Sequence, residues 1–275
     1  MADKIVDKES DSYPSRIVSL VPSQTELLHY LGLGERVCGI TKFCVHPSSW
    51  FETKLRVGGT KSLHLDKIRS LHPDLILANK EENEKAQIES LSTEFPTWVS
   101  EVDGFEQALD MILKIGALTG TTSLANLLTQ DIRTAFDRLD ETIATEKPIR
   151  VAYLIWRNPY MVAAGGTFID SMIERCGMEN VFKNQERYPA VSALEITAAD
   201  PDLLLLSSEP FPFDEKMLAE CRSDFPDRTC LLVDGESFSW YGPRMLHAAT
   251  YFAKLHATIY GSLSQLRHPL ADMKS

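Results

Sequence analysis

The sequence lacks the features of a membrane-spanning or secreted chain. None of its apolar runs approaches the ~18 residues of a transmembrane helix, so no membrane insertion is expected. The opening stretch, MADKIVDKESDSYPSR, contains no apolar segment like that of a secretory signal. The chain as it stands is therefore predicted to be cytoplasmic, and periplasmic if a signal sequence was removed.

An excess of basic residues is also missing. Lys and Arg total 28 against 39 Asp and Glu, which gives a net charge of −11. Proteins that bind nucleic acid need a positive face to replace the counterions of the phosphates. The balance therefore excludes nucleic acid as an expected partner.

Cysteine pairs and catalytic motifs are absent as well. The five cysteines form no C-x-x-C pair, so buried free thiols are expected rather than a metal centre. The sequence has no H-E-x-x-H, no P-loop, no Ser-His-Asp order and no G-x-G-x-x-G after a predicted strand. These absences favour a binding protein over an enzyme, with no catalytic residues and no cofactor of its own.

What the sequence does contain is a regular alternation of short apolar runs and helical patterns. Strands are predicted at 16–21, 36–41, 74–79, 97–100, 150–156, 180–182, 202–207 and 229–234. Apolar strands with helical crossovers form parallel sheets that helices cover on both faces. The sequence therefore predicts an α/β fold.

The two halves of the chain resemble each other. IRSLHPDLILANKE is echoed by ITAADPDLLLLSSE, and RIVSLV by RVAYLI. Between the halves, 104–146 has helical periodicity, with one helix ending at Gly120 and an uninterrupted second helix after it. We predict two similar α/β lobes joined by one long helix, with the boundaries 15–119, 120–147 and 148–262.

The first predicted helix begins directly after the first strand, in LVPSQTELL. Ser23, with Glu26 three residues later, fits a capping box and predicts the start of this helix. In α/β folds this position also holds ligands. Ser23 and Gln24 are therefore candidate hydrogen-bonding residues as well.

Six segments in order carry a resemblance to a known family: RIVSLVPSQTELLHYLGLGERVCGIT, FCVHP, GGTKSLHLDKIRSLHPDLILA, GGTFIDSMIERCGMENVF, VSALEITAADPDLLLL and YGPRMLHAA. Around a long central helix, they resemble the helical-backbone substrate-binding proteins of ABC importers for cobalamin, haem and iron–siderophore complexes. The likeness covers about residues 15–262 and is nearest to the cobalamin-binding members. It implies a monomer that holds its ligand in a cleft between the lobes without catalysis.

The same resemblance implies an acidic residue on each lobe that docks onto the importer permease. Asp66, in HLDKI, is the match on the first lobe. On the second lobe, VSALEI has Leu194 at the matching place and Glu195 beside it, so the docking acids are only partly matched. An ABC permease is one expected partner, and a cytosolic carrier without a permease is the alternative.

The carboxyl ends of the strands are expected to face the ligand, and this selects the candidate ligand-binding residues. On the first lobe they are Ser23, Gln24, Lys42, Phe43, His46, Lys61, Asn79 and Lys80. On the second lobe they are Trp156, Arg157, Tyr160, Trp240, Tyr241 and Arg244.

Aromatic residues give the sharpest signal among these candidates. Trp156, Tyr160, Trp240 and Tyr241 stand beside Pro, Gly or Arg in segments that follow strands. Flat apolar macrocycles bind by burying area against such rings. Packing in the core is the alternative role.

Basic residues and one histidine suggest a second chemistry. Lys42, Lys61, Lys80 and Arg157 would form a positive rim that favours an anionic ligand, unless they are ordinary solvated side chains. His46 could approach a metal carried by the ligand, or serve as a packed loop residue.

The predicted function is non-catalytic binding of a metal–tetrapyrrole, with a cobalamin-type corrinoid as the first choice. An iron–siderophore or haem complex is the alternative, which the basic rim favours. A chelatase-like enzyme is a third interpretation, because His and carboxylate side chains could still meet in the cleft.

Overall fold

The polypeptide forms two compact units. The computed structural model describes residues 12–143 and 147–267, with 262–267 described by their backbone alone. The described residues up to Glu101, together with Asp110–Leu127, form the first unit. Val102–Leu109 and the described residues from Leu128 onward form the second.

The first unit is built on a sheet of five parallel strands: β1 (Ile17–Ser19), β2 (Val37–Ile40), β3 (Leu55–Arg56), β4 (Leu75–Asn79) and β5 (Thr97–Ser100). Across the sheet the order is β3-β2-β1-β4-β5, with every neighbouring pair parallel. All side chains of the inner strands β1 and β4 are buried. This accounts for their continuous apolar sequences, because helices cover a parallel sheet on both faces.

Helices follow the strands of this sheet: α1 (Pro22–Tyr30), α2 (Ser48–Thr53), α3 (Leu65–Ser70), α4 (Lys85–Ser92), α5 (Phe105–Thr119) and α6 (Thr122–Ile143). The predicted end of α5 at Gly120 is confirmed. Gly120 has a φ of +74°, a left-handed conformation that favours glycine after a helix. The long helix α6 has 22 residues and so spans about 33 Å. Residues 144–146, which the sequence also assigns to it, lie outside the described residues.

The division between the two units falls inside both α5, between Leu109 and Asp110, and α6, between Leu127 and Leu128. The predicted boundaries, with residues 120–147 as a connection, stay a prediction. Each half of α6 packs with its own unit. In the first half, Ala125 packs against Gly116. A Cβ atom added at Gly116 would lie 2.4 Å from the Ala125 methyl, which is too close for any residue larger than glycine. In the second half, the ring of Phe136 lies 4.9 Å from that of Phe105.

The predicted capping box at Ser23 is wrong. Helix α1 begins one residue earlier, with Pro22 in its first turn and Val21 as an N-cap that has no side-chain hydrogen bond. Proline suits the first helical position because its φ is already helical and it has no N–H to satisfy. Ser23 is therefore inside the helix, where its side chain is buried.

The second unit has a mixed sheet of six strands: β6 (Ile149–Trp156), β7 (Tyr160–Val162), β8 (Met178–Asn180), β9 (Ala190–Val191), β10 (Leu203–Ser207) and β11 (Thr229–Val233). The order is β11-β10-β6-β7-β9, and β8 pairs with the first half of β6. Strands β6, β8, β10 and β11 are parallel, whereas β7 is antiparallel to both β6 and β9.

The helices of the second unit complete the α/β arrangement: α7 (Phe168–Arg175), α8 (Ala193–Ala198), α9 (Glu215–Asp224), α10 (Gly235–Ser239) and α11 (Arg244–Arg267). The predicted fold class, two sheets of mainly parallel strands flanked by helices with one long helix, is confirmed. In the described residues, no helix combines the length and the apolar character needed to cross a bilayer.

Candidate ligand-binding site

Parallel strands of one sheet end at a common edge, which we call the carboxyl edge. The predicted residues of the first unit all lie on segments that leave this edge. Ser23 and Gln24 are in the first turn of α1, and Lys42, Phe43 and His46 lie between β2 and α2. Lys61 follows β3, Asn79 ends β4 and Lys80 comes next.

A buried amide network joins the strand ends at the carboxyl edge of the first unit. The Asn79 amide donates to the carbonyl oxygen of Ser100 (3.2 Å) and to its hydroxyl (3.0 Å). Its oxygen accepts from the N–H groups of Glu81 (2.8 Å) and Glu82 (3.1 Å). Gln24 donates to the same Ser100 hydroxyl at 2.6 Å. Both predicted amides therefore connect α1, β4 and β5 within the protein.

Asn83 is a central residue of this edge that the sequence analysis missed. Its side chain is buried, and its Oδ1 accepts from the N–H of Asn79 at 2.9 Å. Its Nδ2 donates to the carbonyl oxygens of Leu20 (3.2 Å) and Thr60 (3.1 Å). The signal lay in ANKEEN, because an Asn just after a strand commonly bonds to the backbone of a turn.

Two of the three lysines predicted at this edge, Lys61 and Lys80, interact with oxygen atoms of the protein itself. Lys80 forms an ion pair with Glu101, and the Lys61 ammonium donates to the carbonyl oxygen of Glu81. The Lys42 ammonium lies 5.0 Å from the ring centroid of Phe43, and both side chains are exposed. Of these side chains, Phe43 and Lys42 are the pair that presents an aromatic face and a cation to solvent together.

Glu82, whose carboxyl group interacts with the charge of Lys61, has a raised pKa. Burial raises the pKa of Glu82, and the positive charge of Lys61 acts in the opposite direction. Desolvation disfavours the charged form of a carboxyl group. The carboxyl edge of the first unit thus contains a carboxyl group that holds its proton to higher pH than usual.

On the second unit, the exposed aromatic surface lies at the ends of β6 and β10. Trp156, the last residue of β6, is 41% exposed, and its ring centroid lies 5.0 Å from that of Phe211. Phe211 follows β10 and contacts Phe213 at 4.9 Å. The sequence analysis missed Phe211, which lies four residues after the end of β10. Trp156 and Phe211, which we call the aromatic pair, form an apolar face at this carboxyl edge.

Arg157 and Tyr160 instead face helix α9. Arg157 forms ion pairs with Glu220 and, at 3.1 Å, with Asp224. The Tyr160 hydroxyl donates to Asp224 at 2.6 Å. Burial and the negative charge of Asp224 raise the pKa of Tyr160. These contacts fix α9 against the end of the sheet, so Arg157 adds no unpaired positive charge.

Trp240, Tyr241 and Arg244 lie between α10 and the start of α11. Both aromatic residues are only 6% exposed. The Arg244 guanidinium lies 5.0 Å from the Trp240 ring and forms an ion pair with Glu236 at 2.6 Å. The Tyr241 ring meets Phe168 edge-on at 5.6 Å. These contacts favour the core-packing role for Trp240 and Tyr241.

The two predicted docking acids have different surroundings. Asp66, in the first turn of α3, is exposed and forms an ion pair with Arg69 at 3.0 Å. Glu195 belongs to a capping box at the start of α8, where its carboxylate accepts from the N–H and hydroxyl of Ser192, both at 2.7 Å. These bonds lower the pKa of Glu195. Leu194 beside it is 81% exposed.

We expect Ser192→Ala to lower the free energy of unfolding of the chain by about 1 kcal/mol, the usual cost of losing an N-cap. The Ser192 hydroxyl accepts from the N–H of Glu195 at 3.2 Å, and this bond would be lost with the hydroxyl. Urea denaturation measures the change. Leu194→Ala is the control and should leave stability unchanged, since its side chain is exposed. Equal losses in both variants would contradict the assignment.

No protein metal centre is formed by the described residues, which contain no group of three or more His, Cys, Asp or Glu side chains able to hold a metal ion. His46 is partly exposed and lies just before α2. All five cysteines are free thiols, and four of them are buried.

Comparisons with known proteins agree on one family. The profile of a family described as periplasmic binding protein matches residues 17–227. The vitamin B12-binding protein of Vibrio parahaemolyticus serotype O3:K6 is 25% identical over 213 residues, which are 77% of each chain.

Solved structures share the fold at lower identity. The periplasmic vitamin B12 binding protein of Vibrio cholerae has a TM-score of 0.75 and 22% identity, covering 90% of this chain and 98% of that one. A periplasmic heme binding protein from Pseudomonas aeruginosa has a TM-score of 0.78 and 21% identity, covering 90% and 94%. The resemblance inferred from the sequence is confirmed: the chain belongs to the periplasmic binding protein family, whose members bind solutes and are not enzymes.

Proposed function

We propose that this protein binds a metal–tetrapyrrole, specifically a cobalamin-type corrinoid, at the carboxyl edge of the sheet in its second unit. The observation that carries the proposal is the aromatic pair. An indole that is 41% exposed and a phenyl ring 5.0 Å away present an apolar face where strands β6 and β10 end. Water contacts this face in the absence of a ligand, so covering it with a flat macrocycle is favourable.

Two further observations support a corrinoid over an anionic chelate. Oxygen atoms of the protein already pair with three of the predicted basic residues, Lys61, Lys80 and Arg157. These side chains therefore offer little unpaired positive charge to an anion. The curated relative from Vibrio parahaemolyticus is named a vitamin B12-binding protein. A ligand with an apolar ring and neutral amide arms suits a surface of aromatic and paired polar groups.

The test of this proposal is a calorimetric titration with cyanocobalamin, recorded together with the visible spectrum. We expect saturable one-to-one binding with a dissociation constant of about 1 μM or lower, which corresponds to about 8 kcal/mol of binding free energy. Neither heat nor a spectral change at high micromolar ligand would reject a corrinoid. Haemin, titrated in the same way, distinguishes the second candidate.

The second candidate ligand is haem or an iron–siderophore complex, and Lys42 favours it. Its ammonium lies 5.0 Å from the exposed ring of Phe43, so the two could contact a carboxylate and a macrocycle together. A periplasmic heme binding protein shares the fold.

Salt dependence separates the two ligands. Between 50 and 500 mM NaCl, we expect the affinity for cyanocobalamin to change by less than about two-fold, because screening acts on charge pairs and this contact is mainly apolar. Binding of haemin through Lys42 should weaken several-fold, and Lys42→Gln should remove that dependence. A steep salt response with cyanocobalamin would contradict an apolar binding surface.

We further propose that the loaded protein delivers its ligand to an ABC importer permease through Asp66. This carboxylate is exposed, and its ion pair with Arg69 lies at the surface. Glu195 is committed to its capping box, so on the second unit the exposed Leu194 would meet the permease instead of an acid. A permease with an apolar residue opposite Leu194 is the partner that this surface fits.

A further inference from the structure

Two buried thiols meet where helix α9 packs on strand β11. The sulfur atoms of Cys221, on α9, and Cys230, on β11, lie 3.4 Å apart. Both side chains are almost completely shielded from solvent and belong to the same apolar cluster as Leu218 and Phe225. Nothing in the proposed ligand-binding function uses this pair.

The other three cysteines have different neighbours. Cys44 accepts from the hydroxyl of Thr25 at 3.1 Å, and the Cys38 thiol donates to the carbonyl oxygen of Ile17 at 3.4 Å. Burial alone raises the pKa of Cys176. All five cysteines lie in the described part of the chain. Among these described residues, Cys221 and Cys230 are the two whose sulfur atoms contact each other.

We propose that Cys221 and Cys230 form a redox-modification site that hydrogen peroxide converts to a disulfide. In the first step, the Cys230 thiolate attacks one peroxide oxygen and the O–O bond breaks. Cys230 becomes a sulfenic acid, and the departing hydroxide takes up the proton that the thiol released on ionising, which gives the first water. In the second step, Cys221 attacks the Cys230 sulfur, the S–S bond forms, and water leaves. Two thiols lose two electrons in total, and one hydrogen peroxide becomes two molecules of water.

The geometry of the pair suits this chemistry. A disulfide has an S–S length of about 2.0 Å, so the sulfurs must approach by roughly 1.4 Å, which rotation of short side chains can supply. The contact between the two sulfurs lowers the pKa of Cys230, whereas that contact and burial raise the pKa of Cys221. Cys230 is therefore the nucleophile, and Cys221 retains the proton that leaves with the water.

The bond would connect a helix and a strand of the second unit. Helix α9 carries Glu220 and Asp224, which hold Arg157 and Tyr160 at the end of the sheet. Strand β11 leads directly into α10 and Trp240. A disulfide between α9 and β11 would prevent these two segments from separating.

The test uses hydrogen peroxide on the folded full-length protein, followed by alkylation of remaining thiols under denaturing conditions and digestion with trypsin. Cleavage after Lys216, Arg222, Arg228 and Arg244 gives the peptides MLAECR and TCLLVDGESFSWYGPR. We expect to detect these two peptides joined by a disulfide as one species, which dithiothreitol separates into its two parts. The linked species should be absent from Cys221→Ser and Cys230→Ser and present in the control Cys176→Ser.

A parallel sample, refolded from urea in a buffer of reduced and oxidised glutathione, tests the geometry without the barrier of burial. Absence of the linked peptides from both samples would show that the native fold does not accept the bond. Their presence only in the refolded sample would overturn the proposed peroxide reaction, because the folded pair would then be out of reach of the oxidant.

Discussion

Replacing Asn83 with Ala is expected to lower the free energy of unfolding by about 3 kcal/mol or more, because each buried polar group left without a partner costs about 1–3 kcal/mol. One side chain satisfies three backbone groups: the N–H of Asn79 and the carbonyl oxygens of Leu20 and Thr60. All three belong to segments at the carboxyl edge of the first unit. Alanine removes the amide and leaves these three groups without this partner.

Chemical denaturation in urea, followed by circular dichroism and tryptophan fluorescence, measures this loss. Asn184→Ala is the matched control, since Asn184 is exposed and its truncation should change stability by less than about 0.5 kcal/mol. Asn83→Asp separates the amide's two roles. Its carboxylate can still accept from Asn79 but would face two carbonyl oxygens, so it should be destabilised too. A stability of Asn83→Ala within error of wild type would show that water replaces the side chain.

Gln87 provides a graded comparison on the same edge. Its side chain also bridges backbone groups, accepting from the N–H of Leu63 at 2.8 Å and donating to Lys61 at 3.1 Å. This bridge is more exposed than that of Asn83, so water can take over its bonds. Gln87→Ala should therefore cost clearly less than Asn83→Ala, and the ordering of the two variants tests burial as the cause.

The main strands could be predicted because burial on both faces leaves a plain mark on the sequence. DLLLLS at 202–207 becomes β10, and DLILAN at 74–79 becomes β4. Strand β7 could not be predicted in the same way. It has three residues, it follows a turn at Asn158, where φ is +63°, and its pairing with β6 and β9 is antiparallel. A strand this short has no periodicity to detect.

The α/β pattern predicts where the candidate residues lie in the fold but not which residues they contact. The α/β pattern correctly assigned the selected residues to segments that leave the strand ends or lie near them. It could not indicate the partners of Arg157 and Tyr160, because these lie on α9, 63 and 64 positions further along the chain. Likewise, WYGPR looks like an exposed loop, yet Trp240 is buried against Arg244. Partner choice depends on tertiary packing, which local sequence does not encode.

The start of α1 shows the same limit on a smaller scale. Ser23 and Glu26 have the spacing of a capping box, but Pro22 occupies the first turn, so the helix begins before Ser23. The same spacing in Ser192 and Glu195 does form the box. The difference lies in the residue ahead of the serine: Val191 ends β9, so the chain is extended there and Ser192 can serve as the N-cap.

Truncation of the aromatic pair is expected to have the largest effect on ligand binding. If the macrocycle covers Trp156 and Phe211, then each change to Ala should weaken binding of cyanocobalamin by about 1–3 kcal/mol, or roughly 5- to 150-fold. The double variant should lose less than the sum, because the rings contact each other at 5.0 Å and each supports the other. Calorimetry on wild type, both single variants and the double variant gives this comparison.

Tyr30→Ala is the matched control for that series. Its side chain is 41% exposed, as is that of Trp156, but it ends α1, a helix that starts at the carboxyl edge and runs away from it. Loss of an equally exposed ring far from the strand ends should leave affinity unchanged. Wild-type affinity in Trp156→Ala and Phe211→Ala would exclude the aromatic pair from the binding surface. Similar losses in Tyr30→Ala would attribute the effect to folding, because a ring remote from the carboxyl edge could act only through the stability of the chain.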